Sequence, residues 1–163
     1  MLYLLDANVL ISAHELHYPI DRIPQFWTWL LAQCESGRVK MPYEIHKEIA
    51  DSTGGDLKDW VTTAEAIKNL RFDAQINQAD LRKVITEGYA PDLNDSELEE
   101  IGQDPFLVAY ALPHGSAVTV VTREVSKPSK KRQNRKVPDV CQQFGVRCIN
   151  DFEMYRELNF RIV

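Results

Sequence analysis

The sequence predicts an α/β fold: a central, mostly parallel sheet of four to five strands held between helices in three α/β/α layers. Short apolar runs of strand length alternate along the chain with longer segments of helical periodicity. That alternation builds a parallel sheet covered on both faces. Neither an internal repeat nor a linker-like stretch interrupts it. The 163 residues therefore read as a single domain, 1–163, large enough to bury most of the surface its unfolded chain exposes.

Leu2 to Leu5 is continuously apolar and ends abruptly at Asp6, the pattern of a short buried strand. A helix begins over Asn8 to Ala13, and a loop runs through Tyr18 to Pro24. The next helix spans about Pro24 to Ser36. Proline suits its first turn, Phe26, Trp27, Leu30 and Leu31 form an apolar stripe, and Gly37 stops it. Trp27 and Trp29 lie too close together to share one core, which leaves one of them for a rim or a partner surface. Val39 to Met41 is a minimal strand, and Pro42 opens a helix with Ile45 and Ile49 four residues apart. Ser52-Thr53-Gly54-Gly55 breaks it.

Between Asp56 and Gly88 the pattern is helical but irregular, with Leu57, Trp60, Val61, Ala64 and Ile67 on one face. It leaves open whether Arg71-Phe72 adds a small strand. Pro91 to Ser96 is a loop rich in capping residues. Pro105 to Leu112 is apolar at every position and reads as a buried helix, ended by His114-Gly115. Val118 to Val121 is a central strand, Lys127 to Lys136 a basic run without periodicity, and Val146 to Ile149 a last strand. A helix over Asp151 to Leu158 closes the chain.

With 44% hydrophobic and 26% charged residues, the composition is that of a soluble globular protein. Cys34, Cys141 and Cys148 are odd in number and form no CxxC pair, which suits free thiols in a reducing cytoplasm. The apolar start is too short for a signal peptide and has no basic region before it. No stretch approaches the roughly 20 apolar residues of a spanning helix, so a cytoplasmic protein without a membrane partner is expected. A formal net charge of -5 argues against coating nucleic acid by bulk electrostatics, yet permits a nuclease with a local basic feature.

Three acids fall where this fold brings chain segments together. Asp6 and Glu124 each follow a strand, at the carboxyl edge where open α/β sheets place ligands. Asp104 opens the buried helix leading into the second of those strands, and a right-handed crossover returns its first residue to the same edge. Clustered carboxylates raise one another's pKa unless a positive charge lies among them. A hard cation such as Mg²⁺ or Mn²⁺ resolves the conflict, holds phosphate oxygens and activates water. Taken singly, the residues also have plainer roles. Asp104 before Pro105 suits a helix N-cap, and Glu124 suits a solvated loop.

Tyr3-Leu4-Leu5-Asp6-Ala7-Asn8-Val9-Leu10-Ile11 resembles the opening of a PIN domain. Further landmarks follow in order: Pro42 to Ile49 with Glu48, Asp104 to Ala111, and Val120-Val121-Thr122-Arg123-Glu124, where Glu replaces the usual Asp. The resemblance spans almost the whole chain. More narrowly, the opening, Tyr18 to Trp29 and Lys136 to Cys141 resemble a PIN-like subfamily of bacterial proteins linked to toxin–antitoxin systems. The resemblance implies a Mg²⁺- or Mn²⁺-dependent endoribonuclease with Asp6, Glu48, Asp104 and Glu124 as catalytic acids. Asp6, Asp104 and Glu124 would be metal ligands, with Asn8 and Thr122 in support. An antitoxin partner and a homodimer are expected by the same analogy.

The run Lys127 to Lys136 carries six positive charges in ten residues: Lys127, Lys130, Lys131, Arg132, Arg135 and Lys136. It begins three residues past Glu124, and an acidic site needs such a feature to draw in RNA, so these six are the expected phosphate contacts. His14 and His17 lie in an expected loop without a cysteine partner and read as surface residues rather than zinc ligands. Asp139 is expected to cap the helix after Pro138. Three rival readings are weaker. A phosphoaspartyl enzyme wants an acid where Asn8 stands, and a receiver wants an acidic pair before Asp6. A nucleotide-binding domain wants a glycine-rich motif that the sequence lacks. A catalytically inactive RNA- or protein-binding module on the same fold is the remaining alternative.

Overall fold

A computed structural model describes all 163 residues. Five strands form one all-parallel sheet: β1 (Leu2–Leu5), β2 (Val39–Pro42), β3 (Arg71–Phe72), β4 (Val118–Val121) and β5 (Arg147–Ile149), in the order β3-β2-β1-β4-β5. Arg71-Phe72 is therefore a strand, paired with Met41 and Pro42 at the sheet edge. β1 is central. All four residues of β4 are buried and pair in register with β1, from Leu2 opposite Val118 to Leu5 opposite Val121.

The helices are α1 (Ala7–Ser12), α2 (Pro24–Glu35), α3 (Tyr43–Ala50), α4 (Asp56–Val61), α5 (Ala64–Asn69), α6 (Gln78–Lys83), α7 (Asp95–Ile101), α8 (Asp104–Ala111), α9 (Val137–Gln143) and α10 (Asp151–Glu157). They flank the sheet as a three-layer α/β/α fold. Helix α8 lies across β1, β2 and β4, and its Leu107, Val108, Ala109 and Ala111 are buried. No helix is long and apolar enough to cross a membrane.

From β1 the chain moves outward through β2 to β3 on one side, then returns to place β4 and β5 on the other. The winding reverses between β1 and β4, and the crevice at such a reversal is where open parallel sheets bind ligands.

Several expectations are corrected. α1 does not give way to a loop before His14; a π-helical turn, Ala13–His17, continues it and carries both histidines. His14 Nδ1 accepts the Ile20 N–H at 3.3 Å, and His17 packs edge-on against Phe152. The tryptophan pair divides as expected: Trp27 is buried beside Trp60, and Trp29 is a half-buried rim residue lying against Phe26 and the C-terminal Phe160. Asp139 does not cap its own helix. Lys136 occupies the cap position, and the buried Asp139 carboxylate accepts from the Ser126 hydroxyl and the Lys127 N–H, tying down the loop after β4.

Candidate functional site

The Asp6 N–H donates to the Val121 carbonyl at 2.9 Å, so the β1–β4 ladder itself places this residue beside the end of β4. Its side chain is 6% exposed. Oδ2 accepts from the Thr122 hydroxyl at 2.8 Å and from Asn8 Nδ2 at 3.1 Å. Asn8 closes the clasp, with Nδ2 3.2 Å from Thr122 Oγ1 and Oδ1 accepting the Arg123 N–H at 3.0 Å. Thr122 Oγ1 also accepts from the Glu124 N–H at 3.1 Å. Sheet pairing and two short polar side chains thus hold the Asp6 carboxylate rigid.

Gln103 occupies the cap position of α8, so Asp104 is not its N-cap; it is the first helical residue, directed to the same edge as Asp6. Burial first, then the charges of Asp6, Glu124 and Glu48, push its carboxyl up to about 8, with Lys136 opposing. Asp6 is pushed up to about 6, again by burial first. Thr122's hydrogen bond holds it down and the Glu124 charge lifts it. Glu48, near the end of α3, is raised by desolvation and by Asp6, while a backbone hydrogen bond from Gln103 pulls it back. Glu124 stands close enough to act on both aspartates, and its Oε2 accepts the Val137 N–H at 2.7 Å, which pins the start of α9.

The four predicted acids therefore feel one another at one edge. Beside them Gly102 ends α7 at φ +52, where any other side chain would be strained, although a Cβ there would stand at an ordinary contact distance of 3.8 Å from Glu48 Oε1.

No three His, Cys, Asp or Glu side chains form a ready-made metal cage. The donor set nevertheless fits Mg²⁺ or Mn²⁺, because Mg²⁺ is commonly held by one or two carboxylates and several waters. Asp6 and Asp104 supply hard oxygens whose repulsion a cation would relieve.

The basic run divides. Lys127, Lys130 and Lys131 are exposed, and Lys136 acts on Asp104. Arg132 instead binds Glu97 at 2.9 Å and Asp92 at 2.7 Å, fastening the run to α7 and the loop before it. Arg135 reaches the Gly88 carbonyl and the Gln143 side chain, both at 2.5 Å.

Two features of the site have no signal in the sequence. Tyr89 is buried with no partner for its hydroxyl, and it feels the charges of Asp104 and Glu124. Lying at the end of an irregular helical stretch, it shows nothing that separates it from core. Arg123 is bound to the buried Asp151 at 2.8 Å and stands 3.1 Å from His17 Nε2. Clefts flank the acids on both sides. One, about 390 Å³, runs from Thr122 and Glu124 over the ends of β5 and α10. The other, about 370 Å³, runs from Ala7 and Glu48 toward the Gly54-Gly55 turn and Lys58.

Fold and site together define an α/β protein with an acidic centre at the reversal point of a parallel sheet. By sequence the chain belongs to the family described as Domain of unknown function (DUF4411), which matches residues 3–162. A comparison with curated proteins finds no match.

Proposed function

We propose that the protein is a Mg²⁺- or Mn²⁺-dependent endoribonuclease of PIN-like type, acting as the toxin of a toxin–antitoxin pair. The observation that carries this reading is the meeting of Asp6 and Asp104, raised to about 6 and about 8, with Glu48 and Glu124 beside them. Buried carboxylates perturbed both by desolvation and by specific neighbouring charges are functional-site candidates. The resemblance of four segments to PIN domains supports the same chemistry, and from it come the antitoxin and homodimer expectations.

Asp6, Asp104 and Glu124 would hold the cation, Glu124 with one of its oxygens already accepting the Val137 N–H. Bound there, the cation supplies Lewis-acid activation of the phosphate and of the attacking water. Asn8 and Thr122 fix the Asp6 carboxylate so that its oxygens need no rearrangement on binding. Glu48, at the solvent side, takes a proton from water at its carboxylate. The buried Tyr89 hydroxyl, without a partner in the protein and within the field of Asp104 and Glu124, is a donor available to the site. Lys127, Lys130, Lys131 and Lys136 draw the RNA backbone to an edge that would otherwise repel it. Arg132 and Arg135 serve by holding that loop in place.

The decisive experiment is RNA cleavage by the purified protein with Mg²⁺ or Mn²⁺, repeated with chelator and with Asp6→Asn. Cleavage lost in both controls supports the reading. No cleavage under any metal would return the chain to the alternative of an inactive RNA- or protein-binding module.

A further inference from the structure

The cleft beginning at Thr122 and Glu124 differs from its counterpart on the Glu48 side in carrying an open aromatic wall. Phe152, in the first turn of α10, is 38% exposed and lines this cleft. Its orientation is set from behind: His17 meets it edge-on at 5.0 Å and Tyr155 at 5.7 Å. The guanidinium carbon of Arg123, which also lines the cleft, stands 6.0 Å from the Phe152 ring centroid and is held there by Asp151.

Charge decides what such a cleft takes. Glu124, Asp151 and Glu153 line it against the single cation Arg123, so a phosphate is disfavoured. The acids are also already engaged and do not call for a cationic guest. Asp151 binds Arg123, Glu124 accepts from Val137, and Glu153 forms the capping box of α10 with Asn150. A neutral, flat group with hydrogen-bonding edges fits what remains. Such a group stacks on phenylalanine and guanidinium planes alike.

We infer that this cleft is a nucleobase subsite, which seats one unpaired RNA base on Phe152 beside the acidic centre. The inference rests on the ribonuclease reading for its ligand, since a base here places the neighbouring phosphate toward Asp6 and Glu124. The cleft then sets the cut position along the strand, while the exposed lysines contact backbone without reading sequence.

The test is made without divalent metal, at low ionic strength with chelator, so that it does not depend on cleavage. The probe is a set of short single-stranded RNAs, each with one nucleotide replaced by an abasic ribose. Wild type should bind one member of the set more weakly by roughly tenfold, the order expected for losing one base–aromatic stack. Phe152→Ala should bind the intact and abasic RNAs alike, and Phe152→Trp should restore the difference. 4-Thiouridine at the sensitive position should crosslink to the peptide containing Phe152.

Circular dichroism confirms that the variants fold, as expected for a partly exposed side chain. Equal affinity of wild type for every abasic RNA, or discrimination that survives in Phe152→Ala, would overturn the inference and leave the cleft to a side chain of a protein partner. Base discrimination by a protein that cleaves no RNA would uphold the subsite and sink the nuclease reading.

Discussion

The Thr122 hydroxyl donates to the buried Asp6 carboxylate at 2.8 Å, joining the ends of β4 and β1 across 116 residues of sequence. The same oxygen accepts the Glu124 N–H, so one side chain orders both acids. Thr122→Val removes the donor and leaves burial to lift Asp6 further. Stability should fall by about 1 kcal/mol, typical of removing a hydrogen bond to a buried group. The acid-side limb of the pH–rate profile should move to higher pH, because Asp6 must be ionised to hold a cation. Thr122→Ser should restore both. A pH profile identical to wild type in the valine variant would assign Thr122 to the fold alone.

Asp6→Asn and Asp104→Asn should each remove nearly all cleavage while leaving the metal-free fold as stable as before or more so, since each relieves repulsion among the acids. Wild-type turnover in both variants would end the metal-site reading.

Glu124→Gln and Glu48→Gln should cost less than either aspartate change. The glutamine at 124 can still accept the Val137 N–H, so its defect should emerge chiefly at low metal concentration. A metal titration superimposable on wild type removes Glu124 from the site.

Asp104 keeps its proton up to about pH 8 in the folded protein, against an ordinary carboxylate value near 4 in the unfolded chain. Protonation therefore favours the fold. That contribution is complete below about pH 4 and is lost as pH rises through about 8. In chelator, thermal unfolding between pH 5 and 9 should show wild-type stability falling by on the order of 4 kcal/mol. Asp104→Asn should flatten this slope, and Mg²⁺ should abolish it in wild type. A slope unchanged in the variant would place the titrating groups elsewhere.

Neutralising Lys130 and Lys131 should lower the slope of log K against log[salt] by roughly 0.7 for each RNA phosphate the protein ceases to neutralise on a single strand, with folding intact. Arg132→Ser should behave differently, lowering the melting temperature by releasing Asp92 and Glu97. An unchanged salt slope in the lysine variants would make the run a bystander to RNA.

The alternation of apolar runs and helical segments was enough to place Asp6, Asp104 and Glu124 at one sheet edge. A strand's carboxyl end and a crossover helix's start are local facts once the fold class is known. Asn8 and Thr122 were singled out only by the resemblance to PIN domains; taken alone they read as a helix cap and a strand-end hydroxyl. The sequence by itself did not determine that β1 and β4 are neighbours, which depends on how segments more than a hundred residues apart share one core. From that adjacency come the Asp6–Thr122 bond and the winding reversal that opens the crevice. Nor did counting six positive charges reveal that Arg132 and Arg135 are engaged by the fold, or that Asp139 fastens the Ser126 loop. Periodicity reports which face of a segment is buried. Which polar group meets which is decided only when the elements pack, because each buried donor or acceptor then takes whatever partner the packing brings within about 3 Å.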